Sequence, residues 1–304
     1  MQTQVLGKTG LSVSRLGVGL SEIRSSSKDN VYKILSSALD AGLNFFDTAS
    51  CYGNSEELLG KSMSHLRDKF VLASKCGHTS ITTKGSSFDS KLKDWSYDLV
   101  KKSVERSLKL LKTDHIDIMQ IHSCELDILK KGEAINALQD AKKEGKILHL
   151  GYSGDNDAAV WAAESNIFST IQTSFNLVEQ KARYKLFEVT KRNNLGVIAK
   201  RPIGNGVWRS PKSPSSYADE YFRRSKILEN EGLLNDEPDS RILTSMGFIF
   251  SFEEIDSAII GTQNPEHMLG NIEMFLNSLP ISFKTVDDLC QRYDRLGKNW
   301  NQRT

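Results

Sequence analysis

Four residues that can carry out proton chemistry stand at or just after the ends of short apolar runs. Asp47 follows NFF, Lys75 ends FVLASK and His122 ends IDIMQIH, while Tyr52 lies five residues beyond Asp47. Charged groups and an imidazole are costly to bury in apolar segments unless they meet one another. The alternative is that Asp47 and Lys75 form an ion pair with a purely structural role. This alternative leaves the positions of Tyr52 and His122 unexplained. We therefore predict that the four side chains converge on an acid–base site.

The elements that must position these residues form a regular alternation of apolar runs and amphipathic helical stretches. Each run has about six residues, which is typical of a strand buried on both faces of a parallel sheet. The eight runs cover residues 16–20, 44–49, 70–75, 116–122, 147–153, 170–176, 196–202 and 257–262. Eight strands in alternation with helices predict an α/β fold, a (β/α)8 TIM barrel, whose strands direct their carboxyl ends to one shared site.

Three additions to the barrel are predicted. The turn residues at 7–10 favour an N-terminal capping hairpin at the barrel bottom. Residues 204–236 form a long loop after strand 7 that contains a short extra helix. A C-terminal extra helix is predicted from an apolar stripe made of Val286, Leu289, Tyr293 and Leu296. Because no linker composition interrupts the chain, we expect residues 1–304 to form a single barrel domain.

Composition excludes several classes of protein. Forty Lys and Arg residues against 38 Asp and Glu leave a net charge of +2, which predicts no binding to nucleic acid or to a membrane surface. The sequence has no apolar stretch of membrane-spanning length and no secretory signal at its start. Four cysteines make no disulfide framework, so we expect reduced thiols and a cytoplasmic location. No metal-ligand spacing is present, and no metal is predicted.

The spacing of the four candidate residues also supports a family resemblance. The segment DTASCYG (47–53), with Lys75 after the third strand and His122 ending the fourth, resembles the aldo-keto reductase superfamily. The opening LGKTGLSVSRLGVG, the continuation GNSE (53–56) and the late segment IIGTQNPEHMLGN are similar to that family as well. The likeness extends from about residue 5 to residue 275 and is highly specific when the four residues are taken together.

The resemblance implies NAD(P)H-dependent reduction of an aldehyde or ketone, and the residue types suit that reaction. A carbonyl that accepts hydride needs a proton on its oxygen, and Tyr52 is the implied general acid. An unperturbed tyrosine has a pKa near 10, so Lys75 is expected to lower the pKa of Tyr52. Asp47 holds Lys75 in place, and His122 orients and polarises the carbonyl oxygen as a neutral donor.

The same resemblance implies where the cofactor binds. The implied cofactor-binding residues are Ser153, Gln172, Arg201, Gly261, Thr262, Gln263, His267 and Asn271. The first two match residues that bond the nicotinamide amide. Residues 261–264 lie at a predicted helix start that suits a phosphate. His267 and Asn271 match a position that is often basic and the adenine-contacting asparagine, and Arg201 is expected to reach the phosphates.

Three positions depart from the family pattern. Gly154 follows Ser153 where the family commonly has Asn, and Lys200-Arg201-Pro202 replaces the aromatic residue that stacks on nicotinamide. Gln263 stands where many members carry Lys or Arg for the 2′-phosphate, and a neutral donor binds a phosphate more weakly than a charged one. We therefore expect NADP(H) to be favoured with only modest selectivity, and NAD(H) to be possible.

Two other functions remain open on sequence grounds. One is a sugar 1-dehydrogenase that uses NAD(P)+, and the other is a cofactor-binding regulatory subunit similar to the potassium-channel β subunits. We expect a small carbonyl or sugar substrate, and an oligomer is not required.

Residues 78–93, which are rich in Ser and Thr, are a candidate polar pocket wall. Cys51, Cys76 and Cys124 adjoin the four residues and are predicted to be buried side chains, with a thiol activated by Lys75 as the alternative.

Overall fold

Eight parallel strands close into a barrel in the computed structural model, which describes residues 1–78 and 92–303. The barrel strands are β3 (Leu16–Gly19), β4 (Phe45–Asp47), β5 (Val71–Cys76), β6 (Ile116–His122), β7 (Ile147–Ser153), β8 (Thr170–Ser174), β9 (Gly196–Lys200) and β10 (Ser257–Ile260). They pair in chain order, and β10 pairs with β3 to complete the ring. All eight predicted strands are present, and the predicted (β/α)8 barrel is confirmed.

Helices surround the strands. In the described part of the chain they are α1 (Lys28–Asp40), α2 (Ser55–Met63), α3 (Tyr97–Leu111), α4 (Leu126–Lys131), α5 (Glu133–Lys143), α6 (Asn156–Glu164), α7 (Leu186–Arg192), α8 (Asp219–Glu229), α9 (Arg241–Phe250), α10 (Pro265–Asn277) and α11 (Phe283–Leu296). Side chains cap the first turns of several helices. Ser96 accepts a hydrogen bond from the Leu99 N–H at the start of α3, and Asn264 accepts one from the Glu266 N–H at the start of α10.

A two-stranded hairpin closes the bottom of the barrel. Its antiparallel strands are β1 (Thr3–Val5) and β2 (Ser12–Ser14), as the turn residues predict. Leu6 and Val13 are fully buried and pack on the apolar residues at the amino ends of the barrel strands. The hairpin therefore buries the lower end of the barrel interior, which leaves the carboxyl end as the face for a site.

The barrel interior changes from apolar to polar along the strands. Side chains two residues apart in a strand point to the same side, so each inward strand position has a partner one layer higher. The lower layer holds Phe45, Ala73, Ile118 and Ile198, all buried. Two residues further along the same strands stand Asp47, Lys75, Gln120 and Lys200, also buried. The upper layer therefore directs polar groups to the carboxyl face.

The long connection after β9 and the C-terminal helix follow the sequence prediction. Residues 201–240 separate β9 from α9 and contain α8, the short extra helix. The chain then ends with α11, on which Val286, Leu289 and Tyr293 are buried. Leu296 is 37% exposed, so its place in the apolar stripe is wrong: it is the last residue of the helix and projects beyond the packed face.

None of the helices in the described ranges is long and apolar enough to cross a membrane. Most of the predicted polar wall, residues 79–91, lies outside the described residues. The two ends of this predicted wall, His78 and residues 92–93, are described, and His78 lies at the mouth of the barrel.

Candidate active site

The centre of the barrel mouth is a buried ion pair. Lys75 Nζ lies 2.5 Å from Asp47 Oδ2 and donates a second hydrogen bond to the Thr48 carbonyl oxygen at 2.9 Å. Both charged side chains are 1% exposed. Burial lowers the pKa of Lys75, but the combined effects of Asp47, Tyr52 and Cys51 outweigh it, so the pKa is raised and the ammonium stays charged.

Two glutamines complete the coordination of Asp47. Gln172 Nε2 donates to Asp47 Oδ1 at 2.8 Å, and Gln120 Nε2 donates to the same oxygen at 3.1 Å. Ser153 Oγ in turn donates to Gln172 Oε1 at 2.9 Å. A buried carboxylate is stable when its lone pairs are filled in this way. Gln120 was absent from the sequence prediction, although its place two residues before His122 in one strand indicates the same inward face.

Tyr52 lies above this pair. Lys75 Nζ is 4.8 Å from the centre of the Tyr52 ring, and the ring is partly exposed at the mouth. Burial raises the pKa of Tyr52 and outweighs the opposite effect of Lys75. Lys75 lowers the pKa of Tyr52 as expected, but the net pKa is raised, since removal from water disfavours a phenolate more than one ammonium favours it. Tyr52 remains a protonated donor at neutral pH.

His122 faces Tyr52 edge to face, with 5.9 Å between the ring centres. Burial, reinforced by the positive charge of Lys75, holds the pKa of His122 well below its usual range. The ring is therefore neutral, as predicted for a donor that orients a carbonyl oxygen. The structure thus brings together all four residues predicted for acid–base chemistry.

Cys51 contacts the same cluster through its sulfur. Its Sγ lies 3.3 Å from His122 Nδ1, a contact absent from the sequence prediction. Burial raises the pKa of Cys51 to about 11 in spite of the nearby ammonium of Lys75. Cys76 and Cys124 are buried as predicted, whereas Cys51 is only half-buried, and the pKa values of Cys76 and Cys124 are raised. The alternative of an activated thiol is therefore wrong, and the four cysteines are unpaired.

A second buried ion pair lies at the ends of β7 and β9. Lys200 Nζ is 3.0 Å from Asp155 Oδ2, and this carboxylate also accepts bonds from Thr173 Oγ1 and the Ser174 N–H. Burial lowers the pKa of Lys200, partly offset by Asp155. Sequence analysis found Lys200 only as a departure and missed Asp155, although it stands two residues after Ser153 at a strand end.

Arg201 is held by groups from three parts of the chain. Its guanidinium donates to Ser174 Oγ and to the Tyr221 hydroxyl on α8, each at 3.1 Å, and to the carbonyl oxygen of Arg303. Its backbone is in the left-handed region with φ 57°, which non-glycine residues adopt only when their surroundings hold them there. Arg201 thus lies at the mouth, and its predicted contact with a cofactor stays a prediction.

The C-terminal tail, residues 301–303, covers this side of the mouth. The Gln302 backbone exchanges two hydrogen bonds of 3.0 Å with the Asn156 side chain, and its own side chain donates to the Ser174 carbonyl oxygen. The Arg303 N–H donates to Glu179, a buried acid whose pKa is raised by burial. Sequence analysis missed the tail because nothing in its composition indicates where it docks.

The structure gives a reason for glycine at position 154. An added Cβ atom would lie 2.4 Å from the Tyr152 hydroxyl oxygen, which donates to the Cys124 carbonyl at 2.8 Å. Tyr152 is fully buried, so it cannot move aside at low cost. A side chain such as the asparagine of the family pattern does not fit here without repacking.

The other predicted cofactor residues lie around the start of α10. Gly261, Thr262 and Gln263 form the loop between β10 and this helix, and His267 and Asn271 stand one turn apart on one face of it. Gln263 Nε2 donates to the Glu22 carbonyl oxygen at 2.6 Å, so its side chain already has a partner. The helix start itself has the Asn264 cap and Pro265 at its first turn.

No group of three or more His, Cys, Asp or Glu in the described ranges is arranged to hold a metal ion. An ion pair, a phenol and a neutral imidazole instead meet at the carboxyl end of the barrel. The protein is therefore a (β/α)8 barrel with a candidate acid–base site at the carboxyl end of the strands, where barrel enzymes have their active sites.

Comparison with known proteins gives the family. A model of the Aldo/keto reductase family matches residues 15–290. The chain therefore belongs to the aldo/keto reductase family, whose members are oxidoreductases that in general use NAD(P)H. The resemblance read from the sequence is confirmed.

Three relatives cover nearly the whole chain. An uncharacterized oxidoreductase of Bacillus subtilis is 28% identical over 291 residues, 90% of each chain. The L-galactose dehydrogenase of Arabidopsis thaliana is 26% identical over 309 residues, 95% of this chain and 93% of that one. The holo form of an aldo-keto reductase from Bacillus halodurans superposes with a TM-score of 0.80, at 22% identity and 96% coverage of both chains, which shows the shared fold.

Proposed function

We propose that this protein reduces an aldehyde or ketone to an alcohol with NADPH, reversibly, and that Tyr52 is the general acid. One juxtaposition supports the proposal most strongly. The buried Asp47–Lys75 pair lies beneath the Tyr52 ring, and the neutral His122 ring faces Tyr52 from the side. A carbonyl oxygen between the phenol and the imidazole has two donors, one of which can give up its proton.

A nicotinamide cofactor, when bound, would supply the hydride for the carbonyl carbon, and the protein supplies the proton to the carbonyl oxygen. Tyr52 donates that proton and becomes a phenolate. The Lys75 ammonium then stabilises the new negative charge, because it remains charged beside Asp47. His122 donates a hydrogen bond to the same carbonyl oxygen and fixes its position. In the reverse direction the phenolate removes the proton from the alcohol.

The residues at the mouth fit a nicotinamide cofactor. Ser153 and Gln172 are register partners on β7 and β8, and their side chains offer a hydroxyl and an amide next to Asp47. Such groups pair with a carboxamide. The start of α10 suits a phosphate through the positive end of the helix dipole, although Pro265 has no N–H and the Glu266 N–H is bonded to the Asn264 side chain. Arg201 follows β9, the strand that pairs with β10, and provides a cation at the mouth, although the tail carbonyl of Arg303 is its partner here.

The proposal is tested by mixing the purified full-length chain with NADPH and a panel of aldehydes, ketones and aldoses. Consumption of the reduced cofactor, matched by formation of the alcohol, is the expected result. The same protein with NAD+ or NADP+ and aldoses tests the reverse reaction. Cofactor binding without turnover of any carbonyl or alcohol would favour the regulatory subunit and contradict the proposal.

We expect NADPH to bind more tightly than NADH, by less than about tenfold or 1.4 kcal/mol. The neutral amide of Gln263 adds no charge for the 2′-phosphate, so the preference depends on weaker donors. Gln263→Arg should raise the preference for NADPH, whereas Gln291→Arg, which adds the same charge on α11, should not. Competitive titration of both cofactors by protein fluorescence measures the ratio. Tenfold tighter binding of NADH by the wild-type chain would contradict this expectation.

A sugar 1-dehydrogenase that uses NAD(P)+ is the second candidate. It is favoured by the similarity to a plant L-galactose dehydrogenase over 95% of this chain. The chemistry at Tyr52 is the same with the proton moving in the opposite direction, so the residues do not separate the two candidates. Faster turnover of aldoses with NAD(P)+ than of any aldehyde with NADPH would select the dehydrogenase.

The proposal includes a small carbonyl or sugar substrate as the only partner besides the cofactor. No oligomer is required, because the residues proposed for catalysis all come from one chain. A cytoplasmic location, where thiols stay reduced and NAD(P)H is available, remains part of the proposal.

A further inference from the structure

A second histidine lies beside the proposed catalytic cluster. The His78 ring centre is 5.0 Å from that of His122 and 5.0 Å from that of Trp95. Its side chain is 27% exposed, so it borders the open part of the mouth. The acid–base chemistry proposed above does not use it.

The wall that carries His78 is closely packed. Trp95 Nε1 donates to the His122 carbonyl oxygen at 2.8 Å, and the Trp95 N–H donates to the Gly77 carbonyl at 2.7 Å. An added Cβ at Gly77, where φ is 119°, would lie 2.5 Å from Trp95 Cδ1, so only glycine allows this approach. Trp95 itself has φ 56°, a strained conformation for a bulky residue that its surroundings must hold.

Asp94 lies beside His78. Its Oδ2 is 3.8 Å from His78 Nδ1, beyond hydrogen-bond distance but close enough for the negative charge to favour the tautomer that carries the proton on Nδ1. Nε2 is then the ring atom that can accept a hydrogen bond. Burial lowers the pKa of His78 in spite of Asp94, so the ring is neutral at neutral pH. A neutral acceptor suits a hydroxyl group rather than an anion.

The His78 acceptor lies next to the residue that is proposed to bind the substrate carbonyl. His122 is proposed to bond the carbonyl oxygen, and the neighbouring ring of His78 is therefore within reach of a group one or two carbon atoms away. The Trp95 ring next to His78 adds an aromatic surface beside which the carbon chain can lie. Together they form a polar acceptor beside an aromatic wall.

We propose that His78, whose ring adjoins that of His122, is a specificity-determining residue that accepts a hydrogen bond from a substrate hydroxyl, so that the site selects hydroxylated aldehydes or ketones over alkyl ones. This inference rests on the proposed carbonyl reduction and names the substrate class for that same site. A site that bonds a hydroxyl discriminates against an analogue that lacks it, because the half-buried acceptor then loses that partner.

The test compares glyceraldehyde with propanal, which has the same number of carbon atoms and no hydroxyl. Wild-type kcat/KM should be higher for glyceraldehyde. His78→Phe keeps a ring against Trp95 but removes the acceptor, and should reduce this preference about tenfold, with propanal changed by less than about twofold. His78→Gln, which retains an acceptor oxygen, should recover part of the preference. His65→Phe, which alters a histidine stacked on Tyr32, is the control and should leave it unchanged.

Melting temperatures of all four proteins establish that the variants are folded. An unchanged ratio of the two kcat/KM values in both His78 variants would overturn the inference, whatever happens to the overall rate. A wild-type ratio at or below one would overturn it as well. A wild-type protein that reduces neither aldehyde nor any other carbonyl compound would instead overturn the proposed function on which the inference rests.

Discussion

Replacement of Tyr52 by phenylalanine is expected to reduce carbonyl turnover by about 10²–10⁴-fold, the usual contribution of a general acid. The variant keeps the ring that packs against His122 and Lys75 and loses only the hydroxyl. Cofactor affinity and the free energy of unfolding should therefore change little. Steady-state kinetics, fluorescence titration of NADPH and urea denaturation measure the three quantities.

A matched variant separates this effect from a general loss of aromatic hydroxyls. Tyr32→Phe removes the hydroxyl of an exposed tyrosine on α1 and should keep full activity. If Tyr52→Phe retains more than about a tenth of wild-type turnover, Tyr52 is not the proton donor. A loss of cofactor binding in the same variant would assign Tyr52 to binding instead.

The second large effect is expected on stability as well as on activity. Lys75→Met leaves Asp47 buried without its cation, and breaking a buried pair from one side costs about 3–5 kcal/mol. Gln120 and Gln172 still donate to Asp47, so we expect the free energy of unfolding to fall by about 3 kcal/mol, the lower end of this range. Turnover should fall steeply too, because the phenolate of Tyr52 loses its stabilising ammonium. Urea denaturation and kinetics test both parts.

Two further variants separate the stability effect from the catalytic one. Asp47→Asn combined with Lys75→Met removes both charges, and should recover much of the lost stability while activity stays low. Lys101→Met breaks an exposed pair with Glu144, also 2.5 Å long, and should leave the free energy of unfolding close to that of the wild type. A Lys75→Met protein as stable as wild type, or a double variant that is fully active, would contradict the roles given to Lys75.

The alternation of apolar runs and helices was sufficient to predict the barrel, the hairpin, the long loop after β9 and the last helix. Buried parallel strands require continuous apolar runs, and that local pattern is visible in the sequence. The convergence of Asp47, Tyr52, Lys75 and His122 followed from the same pattern, because the strands of a barrel direct their carboxyl ends to one face.

Long-range packing decided the rest. The pKa of Tyr52 depends on how much water reaches the ring, and the absence of a side chain at Gly154 depends on where Tyr152 packs. The docking of Gln302 on Asn156 joins positions 146 residues apart.

His78 and Asp94 stand sixteen positions apart, and only the fold brings their side chains together. The sequence by itself thus determined that Asp47, Tyr52, Lys75 and His122 reach the mouth of the barrel. The tertiary structure decided their burial and their partners, since a local pattern specifies the face of a strand but not the side chains that meet it from elsewhere in the chain.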